Sequence, residues 1–334
     1  MEPLAHTTRG NGIESIHYGS IAVTDNEGKL VYYAGDPEAF TFTRSSAKFV
    51  QAVPVFESGA VDKYGFTLEG QAIMCGSHNG SPRHAAQTKE NLDKIGLDET
   101  YLQCGVHPPS EYKIKNILPR REEEFSPLQH NCSGKHSGQL ALALQMGCDP
   151  KRYMEFDYDV QQRVFKTICE VYEVEPSSVK IGIDGCSLPN FGMPLKNMAI
   201  AFANIITGKT DVPGRKEVFS RIVNAIQTHP FMVSGEGRFD LALMEALPGQ
   251  IICKVGGEAV ECVGIAKTGW GLAAKVSDGN VRGLYPAVVE AMRQMDLLPD
   301  DRLEYVKEFV KPKLKNYRDI HYGDVIPCFK LKKA

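Results

Sequence analysis

Apolar and polar residues alternate through Ser15–Ala34. Ile16, Tyr18 and Ile21–Val23 mark one run, Leu30–Tyr33 marks a second, and Asp25-Asn26-Glu27-Gly28 supplies the turn between them. The pattern predicts a hairpin. Near the other end, Gln250–Val255, Ala259–Ile265 and Gly271–Ser277 read as three consecutive strands, divided by glycine turns at Gly256-Gly257 and Gly269. Between these blocks the spacing becomes helical. Ser137–Met146 is an apolar helix stopped by Gly147, and Met154–Tyr172 and Arg215–Ile226 repeat the helical period. Strands from both chain ends therefore flank a helix-rich middle. The expected class is α+β, an antiparallel sheet built from both chain ends with an inserted helical lobe. A single catalytic domain, 1–334, is expected, with a sheet subdomain of roughly 1–60 plus 248–334 and a helical subdomain of roughly 61–247. A cleft between sheet and lobe is where a site is expected.

Composition narrows the function without naming it. The chain has 334 residues, and its formal net charge of −3 offers no basic stripe for nucleic acid. No apolar stretch reaches the length of a membrane span, and the N-terminal MEPLAHTTRGNG lacks a hydrophobic leader segment. Nine scattered cysteines without a Cys-x-x-Cys motif argue against a disulfide framework, and they point to a reducing compartment, the cytoplasm.

Candidate chemistry starts at Thr43-Arg44-Ser45-Ser46-Ala47-Lys48, which opens a helix with Phe49, Val50, Val53 and Phe56 as its buried face. Ser45 and Lys48, three residues apart, share one helical face. Serine is a weak nucleophile unless a base assists it, and unsatisfied N–H groups at a helix start favour a developing oxyanion. An ordinary N-cap serine is the alternative. Ser110–Lys113 and Ser177–Lys180 repeat the spacing, but the first reads as loop and the second precedes a strand, Val179–Ile183. Ser77-His78-Asn79 matches the Ser-x-Asn element of penicillin-recognising enzymes, and Lys254-Val255-Gly256 resembles their Lys-Thr-Gly strand. Lys267-Thr268-Gly269 is the literal match, but it falls in a turn.

A second cluster is His130-Asn131-Cys132-Ser133-Gly134-Lys135-His136 with Gly182-Ile183-Asp184-Gly185-Cys186. Cys132 at a helix start favours thiolate, and Cys186 sits in a turn after a strand. Two thiolates, a nitrogen and a water would satisfy tetrahedral zinc; buried cysteines as small hydrophobes are the alternative.

The set RSSAKFVQA, CGSHNG, HNCSGKHSG, GIDGCSLP and CKVGGEAV resembles the Rhizobium etli-type (class 3) L-asparaginases of the asparaginase II family. The resemblance implies a fold similar to serine β-lactamases and glutaminases, a homodimer, and L-asparagine as substrate. It implies Ser45 as nucleophile, Lys48 as its base, and Ser77 with Lys254 as a second serine–lysine pair. It also implies zinc on Cys132, Lys135 and Cys186, with Asp184 supporting that site. Arg44, His78 and Asn79 would bind substrate, and Arg238 would hold its carboxylate as a guanidinium fork. KVGGEAV departs from the family's pattern, which leaves the preferred amide open. The rivals are a glutaminase or β-lactamase-like amidohydrolase or esterase on the same fold. A rival of another kind is a non-catalytic acyl- or zinc-binding sensor.

Overall fold

The alternating N-terminal segment forms the hairpin its pattern predicts. In the computed structural model, which describes residues 1–334, Gly12–Thr24 pairs antiparallel with Leu30–Ala34. Asp25 closes the turn by accepting from the Glu27 and Lys29 amides at 2.9 Å each, the local Asp bonding that favours turns. A strand that the pattern does not announce, Glu2–Arg9, pairs along the other side of Gly12–Thr24.

The nine-stranded antiparallel sheet runs Lys313–Lys315, His321–Pro327, Glu2–Arg9, Gly12–Thr24, Trp270–Val276, Val260–Ile265, Ile251–Gly256. Leu30–Ala34 and Lys332–Lys333 are paired off this path. Strands from both ends of the chain thus share one sheet, and the α+β class holds. Helix Leu195–Thr207 lies against it at backbone contact distance. A Cβ added at Gly271 would fall 1.9 Å from Ala199 O, and one at Gly264 would fall 2.7 Å from Phe202 O. Only glycine in those strands lets the helix come so close.

The turn after Ile251–Gly256 differs from expectation. Gly256 and Gly257 do not supply its left-handed residues; Glu258 (φ 60°) and Ala259 (φ 54°) do. Two successive positive-φ residues make the primed type of turn that matches strand twist. The glycines serve close approach instead. A Cβ at Gly256 would meet Thr43 O at 2.8 Å, and one at Gly257 would meet the Arg44 guanidinium carbon at 2.9 Å.

The chain divides into two units. Met1–Ser46, Gly192–Thr207 and Ala242–Ala334 form the one that holds the nine-stranded sheet; Ala47–Phe191 and Gly208–Leu241 form the other, which is largely helical. The sheet unit takes Leu195–Thr207 from the middle of the chain because that helix packs on the sheet.

In the helical unit, Lys48–Glu57 is buried on every side. Phe49, Val50, Val53 and Phe56 are interior as predicted, and so are Lys48 and Gln51. Ser133–Gln145 begins four residues before the predicted start, so Lys135 and His136 sit in its first turn and Cys132 is its N-cap. Gly134 and Gly138 let it press on Leu68–Met74, since a Cβ at Gly134 would be 2.3 Å from Ile73 O. Asp159–Tyr172 starts five residues later than its pattern, and Arg215–Thr228 runs slightly past its own. Glu57 accepts from Arg215 Nε and Arg163 Nη2 at 2.6 Å each, which ties three of these helices together. No helix is long and apolar enough to cross a membrane.

Candidate active site

Ser45 lies in the sheet unit, half-buried in a 3-10 turn, Arg44–Ala47, that runs into helix Lys48–Glu57. Arg44 holds a left-handed backbone (φ 50°), unusual for a residue with a Cβ. The Ser46 amide is engaged by Thr43 O at 3.1 Å. The Arg44 side chain lies over Gly257, 4.0 Å from the Glu258 carboxylate. Lys254 is fully buried in the strand Ile251–Gly256, opposite Cys262, and its Nζ donates to Val255 O at 2.8 Å. The literal Lys267-Thr268-Gly269 is a surface turn with Lys267 exposed.

In the helical unit, Lys48 is fully buried. Its Nζ donates to Gly76 O at 2.6 Å, Ser77 Oγ at 2.7 Å and Asn131 O at 3.4 Å. Lys48 and Ser77, 29 residues apart in sequence, are therefore in direct contact. The loop bearing Ser77 is fixed from several sides. Ser77 N donates to Val233 O at 2.8 Å, and His78 N donates to Asn131 O at 3.2 Å. Gly76 is required here, because a Cβ would meet Met232 O at 2.6 Å.

His78 is wholly interior. Gly80 N donates to its Nδ1 at 3.3 Å, so Nε2 carries the hydrogen and donates to Ser133 Oγ at 3.0 Å. Burial holds His78 well below the usual imidazole range, aided by the nearby His84 and Lys48. Asn79 is buried too. It accepts from Ser81 N at 3.2 Å and donates to Glu236 O at 3.4 Å. Both side chains thus hold the loop's shape rather than pointing at open space. Arg238 is half-buried and donates to Ser110 Oγ at 3.4 Å. Ser110 does not lie in a loop as its prolines suggest. It opens a short helix, Ser110–Ile114, with Lys113 exposed, while Ser177 and Lys180 are both exposed. Burial separates Lys48 from these two repeats of the spacing.

The cysteine cluster comes together as its motifs suggest. Ligand atoms of Cys132, Asp184 and Cys186 all lie within 4.8 Å of one another, and Lys135 Nζ donates to Cys186 Sγ at 2.9 Å. The Cys132 thiol is held well below the ordinary range because Cys186 donates to it, with Lys48 and Lys135 adding positive charge. Cys186 retains the proton and is pushed up. Burial opposes the charge on Lys135, but the two sulfurs and Asp184 more than offset it and push its pKa up. The donor set fits zinc. Two sulfurs, a carboxylate and an amine at this spacing can close a tetrahedron. Lys135 would have to give up a proton to bind, whereas Asp184 would not, so Asp184 is placed to serve as a ligand as well as a support.

Sequence reading missed the residues behind Ser77: His84, Phe231, Val233 and Asn131. A signal was present, since five of the nine histidines fall between His78 and His136.

Comparison with known proteins agrees with the motifs. The family model for L-asparaginase II matches residues 5–327. The chain belongs to the L-asparaginase II family. No curated protein matches it. Among solved structures it is similar to the native form of Mglu, at 13% identity and a TM-score of 0.45, covering 85% of this chain and 66% of that one. It is similar to a class C beta-lactamase at 11% identity and a TM-score of 0.39, covering 82% and 91%. A D-alanine carboxypeptidase from Burkholderia cenocepacia shows 12% identity and a TM-score of 0.36, covering 81% and 93%. Identities this low leave the chemistry to this chain's own residues.

Proposed function

We propose that this protein hydrolyses the side-chain amide of L-asparagine to L-aspartate and ammonia through a serine acyl-enzyme, as a class 3 member of its family and as a homodimer. The observation that carries the reading is the buried contact of Lys48 Nζ with Ser77 Oγ at 2.7 Å. A lysine kept from solvent and bonded to a hydroxyl is equipped to pass protons.

Ser45, three residues before Lys48, is the nucleophile. Once Lys48 has released a proton, the Ser45 hydroxyl proton passes to it while Oγ bonds to the amide carbon. The carbon–nitrogen bond then breaks, and nitrogen leaves as ammonia with the proton returned through Lys48 and Ser77. Water adds to the aspartyl ester, its proton follows the reverse path, and Ser45 is freed. Lys254 is assigned as a further partner of Ser77 from sequence order. Arg44 and Arg238 are assigned to the substrate's carboxylate. Cys132 and Cys186, with Lys135 or Asp184, would hold zinc. When bound, the metal supplies a positive charge that polarises and orients substrate oxygen.

The test is ammonia release from asparagine, from glutamine and, as a control for the β-lactam rival, nitrocefin turnover. Wild type should release ammonia from asparagine at least ~10-fold faster than from glutamine, a discrimination a polar side-chain pocket reaches easily. Ser45→Ala should fold normally and lose at least ~10³-fold in kcat/KM. Retained turnover in that variant would sink the serine assignment, and nitrocefin as the better substrate would replace the asparaginase reading.

A further inference from the structure

Ser81 is the N-cap of helix Pro82–Lys94, yet its side chain does not cap the helix. Its Oγ is spent on His84 Nδ1, at 2.7 Å, three residues on. His84 is fully buried in the first turn of that helix, where a positive charge is disfavoured by the macrodipole. Its Nε2 faces Phe231 O at 2.9 Å. A carbonyl can only accept, so Nε2 carries the hydrogen, and Nδ1 takes the Ser81 hydroxyl proton. The ring is sandwiched. His78 stacks on one neighbour contact at 4.7 Å and 10°, Phe231 on another at 4.6 Å and 6°.

These contacts close a circuit around Ser77. Phe231 belongs to the turn Pro230–Val233, and Val233 O of that turn accepts from Ser77 N. His84 bonds to the same turn through Phe231 O and stacks on His78, the residue after Ser77. Gly76, the residue before it, lies on the Met232 carbonyl. The loop is thereby held at its backbone by one turn and at its side chain by one ring, and both lead back to residue 84.

We propose that His84, a residue outside the catalytic set, is the positioning residue that keeps Ser77 in register with Lys48, and that it does so only as a neutral imidazole. The proposal rests on the reading of Ser77 and Lys48 as the proton path. A charged His84 would lose the acceptor that Ser81 uses. It would face Arg83 and Arg238 as well as the helix start; Glu111 and the neutral His78 are the other titratable groups around it. Burial first, then these charges, lowers its pKa to about 4. Below that pH the stack should loosen and Ser77 should drift from Lys48.

His84→Ala, His84→Gln and His84→Phe test this, with activity, pH profile and NMR of labelled histidine and lysine side chains. His84→Ala should lower kcat by about 10- to 100-fold with KM nearly unchanged, the cost of a misplaced proton-transfer group. It should also shift the His78 and Lys48 Nζ signals. His84→Phe keeps the stack and cannot titrate but leaves Phe231 O and Ser81 unpaired, so it should recover part of the kcat lost in His84→Ala, and more than His84→Gln, which keeps a donor without a ring. The wild-type acid limb of kcat near pH 4 should move lower in His84→Phe. A His84→Ala enzyme with wild-type kcat and an unmoved Lys48 signal overturns the proposal, as does an acid limb unchanged in His84→Phe. If His84→Ala does not fold, His84→Phe carries both tests. Should wild type release no ammonia, the functional reading fails by itself, and the Lys48 and His78 signals still decide the positioning role.

Discussion

Two polar clusters sit in the helical unit, both near the start of helix Ser133–Gln145, and they are built on opposite principles. Around Ser77 the partners beyond the one buried Lys48 are neutral, and both nitrogens of His78 and of His84 are committed inside the chain. Around Cys132 they are charged: a thiolate, an ammonium and a carboxylate gathered within a few ångströms. Saturated neutral bonding fixes geometry, since any departure leaves a buried donor or acceptor unpaired at about 1–3 kcal/mol. Gathered sulfur and carboxylate donors keep a capacity for a cation. The first cluster is suited to hold a reacting hydroxyl still, and the second to accept a ligand from outside.

The largest test of this contrast removes one sulfur. Cys186→Ser should bring zinc, measured by elemental analysis, from about one per chain to below about a tenth, with a 10- to 100-fold loss of ammonia release. Its loop at Ser77 should stay intact, read from the His78 resonances. Loss of those resonances as well would show that the clusters are one structure.

Acid separates the two next. Burial lowers the pKa of His84 from the ordinary imidazole value of 6.5 to about 4, which keeps the ring neutral in the folded protein. The unfolded chain therefore binds the extra proton between these values. Stability from this group is full above about pH 6.5 and is lost as pH falls toward 4, by about 3 kcal/mol at most. Urea midpoints at pH 7 and pH 4.5 should show this slope in wild type and a shallower one in His84→Phe. An equal slope in both would assign acid sensitivity elsewhere.

The smallest effect lies outside both clusters and serves as their control. Ala259 holds φ 54° in the primed turn of the sheet unit. Ala259→Gly should stabilise by about 1 kcal/mol, seen in thermal melts, without moving metal content or turnover. A loss of stability would mean the Ala259 methyl, fully buried, contributes more by packing than its backbone costs.

Much of this was legible because short motifs record local needs. Ser45, Lys48, Cys132 and Cys186 each stand next to a helix start or a strand-end turn, and Ser77 lies in the glycine-bearing loop after helix Leu68–Met74; those signals are written within a few residues. Their meeting was not legible. Gly134 and Gly138 let one helix press on Leu68–Met74, the helix that leads to Ser77, and Gly76 lets the Ser77 loop lie on carbonyls, but a single sequence does not say what a glycine is making room for. His84 was missed for a related reason. Ser81 and His84 look like an N-cap and an ordinary first-turn residue, and only Phe231, 147 residues away, turns the pair into a stack. Glu2–Arg9 escapes the pattern because its two buried apolar residues, Leu4 and Ala5, are adjacent and do not alternate, and its remaining residues are polar apart from Pro3.

The place of that strand in the sheet bears on how the molecule is made. The strand Glu2–Arg9 lies between Gly12–Thr24 and His321–Pro327. On the ribosome its first neighbour emerges within a few residues, while its second arrives more than 300 residues later. Most of the helical unit, by contrast, is one uninterrupted stretch, Ala47–Phe191. Synthesis therefore favours helices that form early and a sheet that waits with an open edge, the step most exposed to misassociation and the one a chaperone would guard.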